Sequence, residues 1–144
     1  MKSHCRPGNW GSGFYRVMPE PSEYVIVKHR YSGFMDTDLD LILRSLGIRT
    51  IALVGVATNV CVESTARDGY QKGYYVIMLE DCVATMSKAE HEATLTNIRN
   101  FFGVVASSQE LVEAWQVAGK TVSSSVSGHP KPARDGHLKT GHLR

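Results

Sequence analysis

From residue 23 to residue 119 the chain alternates four times between a short apolar run and a stretch with a single apolar stripe. The runs are "EYVIVKHRY" from residue 23, "TIALVG" from 50, "YYVIMLED" from 74 and "VVAS" from 104. They are rich in valine, isoleucine and tyrosine, which suit strands. "TIALVG" and "YYVIMLED" are continuous rather than alternating, the pattern of strands covered on both faces. Each run is followed by a helical pattern. In "DTDLDLILRSLG", Leu39, Ile42, Leu43 and Leu46 share one face. Thr37 and Asp40 have the spacing of a capping box, and Gly47 supplies a left-handed stop. "NVCVESTARDGYQKG" ends at Gly73. "SKAEHEATLTNIRNFFG" opens on Ser87 and Glu90, carries Leu95, Ile98 and Phe102 on its stripe, and ends at Gly103. "SQELVEAWQVAG" follows, with Ser107 and Glu110 as a third capping box. Strand–helix alternation with two-sided strands predicts an α/β fold: an open, mainly parallel sheet flanked by helices.

This pattern bounds the rest. Residues 1–118 read as one domain, of a size able to bury a core. Residues 1–23 read as loop. Residues 119–144 hold Ser, Gly, Pro and basic residues with almost no apolar ones, and are expected to form a disordered tail whose His129, His137 and His142 are too unevenly spaced for a ligand set. A net charge of +2 is too small to mark a nucleic-acid surface. No run approaches the roughly 20 apolar residues of a membrane helix, and the first residues lack the apolar centre of a signal peptide. Cys5, Cys61 and Cys82 contain no C-x-x-C pair. That argues against a disulfide framework or a zinc site and for a reducing cytoplasm.

Ligands of open parallel sheets bind beyond the carboxyl ends of the strands. That rule selects residues 28–31, 56–61, 80–82 and 107–108. Cys61 follows a strand and opens a helix, where unpaired amide hydrogens and the positive end of the helix dipole favour a sulfur anion. The same amides can hold an oxyanion once sulfur attacks a carbonyl. The ordinary role of such a cysteine is that of a small core residue. Lys28 ends the first run at the same rim, where a lysine can hold negative charge or move a proton; the ordinary role there is a solvated strand end. His29 and Arg30 fit a loop. Asp81 suits capping a neighbouring loop better than chemistry, and Cys82 suits burial.

The segments "VKHRYSGF", "LRSLGIRTIALVGVATNVCVESTARDGY", "EDCVAT" and "HEATLTNIRNFFG" together resemble the isochorismatase-like cysteine hydrolases, over residues 5–116. The most specific part is G-V-A-T-x-x-C-V-x-x-T-A. Within that family the wording is nearest to the ureidoacrylate and N-carbamoyl-amide hydrolases. The resemblance implies a doubly wound α/β/α sheet and an Asp–Lys–Cys triad. It places the nucleophile at Cys61, the lysine at Lys28, and a cis peptide between Val56 and Ala57. The oxyanion hole then consists of the backbone N–H groups of Ala57 and Cys61. It implies a thiolate that attacks an amide or ureido carbonyl, with release of ammonia or an amine. Asn59, Tyr31, Phe34 and Trp10 are the candidates for substrate contact, with packing an equal alternative for Trp10 and Phe34.

The family aspartate lies on its first strand, upstream of the lysine. Residues 1–27 contain no aspartate and no opening apolar strand. The chain is therefore expected to be a family member without its N-terminal segment, with weak or absent hydrolysis of its own. Glu23 begins the strand that Lys28 ends, on the order of 15 Å away at ~3.3 Å per residue, and faces the other rim. No D-x-H-x-x-H occurs, so neither a metal nor any other cofactor is expected. The expected partner is a small amide or ureide, and the chain is expected to form a homo-oligomer, a dimer or a tetramer. The alternative is a non-catalytic remnant acting by binding; a weaker third is an anion site at the helix start near Asn59.

Overall fold

The computed structural model describes residues 8, 10–14 and 16–125. Helix α1 (Leu39–Ser45) precedes strand β1 (Thr50–Val56). A wide turn (Thr58–Val62) leads into α2 (Glu63–Gln71), then β2 (Tyr75–Ala84) and α3 (Lys88–Asn97). A second wide turn (Ile98–Phe102), β3 (Val104–Ala106) and α4 (Ser108–Ser125) follow. The three strands are parallel in the order β1–β2–β3. The result is an α/β fold, a parallel sheet flanked by helices.

α2 ends as the sequence predicts. Gly73 takes φ 88°, its N–H reaches Tyr70, and the N–H of Tyr74 reaches back to Gly69. That left-handed step satisfies the last carbonyls of the helix and turns the chain into β2. β1 and β2 pair from Thr50↔Tyr75 to Leu53↔Met78, then shift to Gly55↔Val83 and Val56↔Ala84. On its other edge β2 pairs with β3 from Ile77↔Val104 to Leu79↔Ala106. The irregularity lies at the end of β1 that delivers the chain into the Cys61 turn.

The core lies between the sheet and the α2–α3 layer. Val62, Ala66, Val76, Met78, Val83, Leu95 and Ile98 are buried together, with Ile51, Leu53, Phe102 and Val105 packed against them. The stripe predicted for α3 is the one that faces this core. Gly103 is required by proximity: a Cβ there would strike the Val76 carbonyl of β2.

Several expectations are corrected. Residues 24–28 form no strand, and Tyr24, Val25 and Val27 are exposed. Strand-type side chains do not make a strand without a neighbour for their backbone groups, and among the described residues none pairs with them. β1 is not covered on both faces: Ile51 and Leu53 pack inward, while Val54 is 58% and Val56 71% exposed. The Thr37–Asp40 capping box does not form. Thr37 donates to the Gly33 carbonyl, and Asp40 instead takes Arg44, Lys72 and Tyr74 as partners. Ser87 caps α3 by accepting the Glu90 N–H, and Ser107 exchanges bonds with Glu110 as a full box. α4 runs past Gly119 to Ser125. The expected tail from residue 126 onward, its three histidines and Cys5 lie outside the described residues.

Candidate active site

Gly55 takes φ 116° at the end of β1, and the Val56–Ala57 peptide bond is cis. The Ala57 carbonyl then accepts the N–H groups of both Val60 and Val62, at 3.1 and 3.2 Å. The second of these spans five residues and makes the turn wider than an α-helix, a form frequent at functional sites. Cys61 lies in this turn, half-buried and with a free thiol.

Three tethers hold the turn, each through a side chain near Cys61. The hydroxyl of Thr58, which is fully buried, lies 3.0 Å from His91 Nδ1 on α3. Asn59 Oδ1 accepts the Thr85 hydroxyl at 2.7 Å, joining the turn to the end of β2. The Thr65 hydroxyl donates to the Cys61 carbonyl at 2.7 Å and accepts the Gly33 N–H at 2.9 Å. One threonine thus pins the loop after Lys28 onto the first turn of α2. Below it, Glu63 accepts Arg67 at 2.6 Å and the Thr94 hydroxyl at 2.8 Å, and the Arg67 guanidinium stacks over Phe102.

Lys28 lies in the open loop that leads to Gly33. Its ammonium donates to the carbonyls of Arg30 and Tyr31, at 3.0 and 3.2 Å, which closes the loop on itself. Glu23 is occupied locally, its carboxylate accepting the Glu20 N–H at 2.7 Å. Tyr31 lines an open cleft of about 320 Å³ with Arg30, Ser32, Met35, Asp36, Ser64 and Asp68. Phe34 is 6% exposed and stacks on Tyr74 at 5.6 Å between ring centres, in line with the packing alternative. Trp10 sits in a short 3₁₀ turn, 86% exposed.

The other rim residues divide clearly. Asp81 accepts the hydroxyl and the N–H of Ser108, at 2.6 and 2.8 Å, which holds its carboxyl below the ordinary range. It therefore caps α4. Cys82 is exposed rather than buried, because it sits in the shifted part of β2. No cluster of candidate metal ligands occurs among the described residues. None of the described helices is long and apolar enough to cross a membrane.

The profile of the isochorismatase domain matches residues 1–139. The chain belongs to the isochorismatase family. It is 46% identical over 101 residues to the ureidoacrylate amidohydrolase RutB of Acinetobacter baylyi, covering 69% of this chain and 41% of that protein. The RutB of Methylorubrum extorquens is 48% identical over the same span. The chain thus spans about two-fifths of the curated relatives it matches. Among solved structures, an isochorismatase-like hydrolase from Alkaliphilus metalliredigens superposes with a TM-score of 0.75 at 42% identity, over 78% of this chain and 62% of that one. N-carbamoylsarcosine amidase from Thermoplasma acidophilum gives 0.66 at 35% identity, over 73% and 60%.

For this isochorismatase-family chain, sequence reasoning missed Thr58, Thr65, Thr85 and His91 as supports of the Cys61 turn. A signal was present for two of them. Thr58 and Thr65 are the threonines of the G-V-A-T-x-x-C-V-x-x-T-A element, and the second lies one helical turn beyond the cysteine.

Proposed function

We propose that the chain carries the nucleophile half of a cysteine hydrolase acting on a C–N bond of a small amide or ureido compound. Cys61 is assigned as the nucleophile and Lys28 as the lysine of the triad; the backbone N–H groups of Ala57 and Cys61 receive the oxyanion. Sulfur bonds to the carbonyl carbon and the C–N bond breaks. The nitrogen leaves as ammonia or an amine with a proton, and water then cleaves the thioester. Asn59, Tyr31 and Trp10 are assigned to substrate contact. The observation that carries this reading is a half-buried, free Cys61 in the wide turn after β1, in a chain whose relatives include amidohydrolases. No metal or other cofactor is invoked, and the substrate is a small molecule rather than a nucleic acid or a membrane. The free thiols fit a reducing cytoplasm.

Residues 1–27 offer no aspartate to take the thiol proton. General-base help contributes about 10²–10⁴-fold, so turnover by this chain alone is expected to be weak by that factor. The same observation favours a second reading, in which the chain binds such compounds without cleaving them. A panel of N-carbamoyl amides assayed for ammonia release, with Cys61→Ala as control, separates the two. Slow release abolished by the substitution supports the hydrolase. Release that survives it removes Cys61 from the mechanism, and binding without release supports the second reading.

A further inference from the structure

We propose that His91 is a positioning residue for the nucleophile: through Thr58 it holds the wide turn that sets Cys61 relative to Ala57. The inference rests on the reading of Cys61 as nucleophile. Thr58 directly follows Ala57 and lies three residues before Cys61, in the turn whose hydrogen bonds converge on the Ala57 carbonyl. Its side chain is fully buried, so its hydroxyl needs a partner, and that partner comes from outside the turn. His91 Nδ1 lies 3.0 Å away. With the imidazole proton on Nε2, the Thr58 hydroxyl donates to Nδ1.

His91 sits on a helix anchored at several points. α3 is capped by Ser87, whose carbonyl accepts the His91 N–H at 3.0 Å. His91 and Thr94 lie on one face of α3, and Ile98, the first residue of the following wide turn, continues that face. Thr94 bonds Glu63 of α2 and Ile98 is fully buried in the core. The turn, α2 and the core are thus indexed against a single helix face. Loss of the Nδ1 acceptor leaves a buried hydroxyl to find another partner, and the accessible route is rotation of the turn that carries the sulfur.

The test is the rate at which iodoacetamide labels Cys61, read by peptide mass spectrometry in the folded full chain. His91→Ala is expected to slow labelling of Cys61 about five- to tenfold relative to the parent, the rate equivalent of one hydrogen bond. Cys82 should be unaffected. His91→Asn, whose amide oxygen can occupy the place of Nδ1, should restore the rate to within about twofold. Thr58→Val should match His91→Ala, and the double variant should be no slower than either. A Cys61 rate unchanged in His91→Ala, or an Asn variant no better than the Ala variant, overturns the proposal. The nucleophile reading fails separately, if parent Cys61 labels no faster than Cys82. Thermal melts of each variant show whether it is folded, and the Asn variant keeps the test decisive should the Ala variant unfold.

Discussion

Thr65 makes two hydrogen bonds through one oxygen, to the Cys61 carbonyl and from the Gly33 N–H. Valine has the same shape and no hydroxyl, so Thr65→Val leaves the partly buried Gly33 N–H without its acceptor. Such a loss costs about 1–3 kcal/mol. Urea denaturation should show that drop, and Thr65→Ser should recover most of it. Equal stability of the valine variant would mean that solvent replaces the bond and that the Ser32–Phe34 loop is not held by α2. Lys28 contrasts with Thr65. Its ammonium is satisfied within its own loop, so the position read as catalytic from the family motif is supported by local carbonyls rather than by β-pairing. Cys61 and its neighbours in the motif were legible because identity alone marks them. The partner of Thr58 was not, since nothing in the spacing of residues 58 and 91 announces that they meet.

At the scale of elements, α4 is held at its first turn by two carboxylates. The Ser108 hydroxyl and N–H lower Asp81 from the ordinary 3.8, and the Ser107 N–H and hydroxyl lower Glu110 from 4.5. A carboxyl whose pKa is lower in the folded state contributes stability above its unfolded value and loses it as pH falls through the folded one. The contribution is therefore full at neutrality and fades below about pH 4. Asp81→Asn should lower the melting temperature at pH 7 and flatten its fall between about pH 5 and pH 3. An unchanged acid limb would assign the acid sensitivity to other groups. Gly103 acts at the next junction back. Gly103→Ala drives a methyl into the Val76 backbone and should cost about 1–3 kcal/mol by urea denaturation, against near-neutrality at an open glycine such as Gly11. α3 and the start of α4 were readable because their caps are local, whereas Gly119 did not stop α4. Residues 24–28 were misread for the converse reason: a strand is a relation between two segments, and valines report only one of them. α1 was overextended at its start because its N-terminal cap was inferred from residue type, while Asp40 is committed to Arg44, Lys72 and Tyr74; the predicted stop at Gly47, φ 69°, did form.

At the scale of the whole molecule, the sheet is lopsided. Parallel sheets ordinarily have both faces covered, and open strand edges are ordinarily blunted by charge or proline. β1 reads "TIALVGV", with neither, and its outward residues Val54 and Val56 are exposed. Leu41 of α1, Leu46 just after it, and the side chains of Tyr24, Val25 and Val27 are exposed as well. Apolar surface on this scale drives association in water. We therefore expect sedimentation velocity to show concentration-dependent self-association at micromolar protein. Val54→Lys places a charge on the open face of β1 without removing anything from the core, since Ile51 and Leu53 face the other way. It should shift the distribution toward monomer while leaving the melting temperature of the monomer nearly unchanged. Identical sedimentation of parent and variant would show that β1 is not the surface through which copies meet. A fall in monomer stability would instead show that Val54 is packed within the chain.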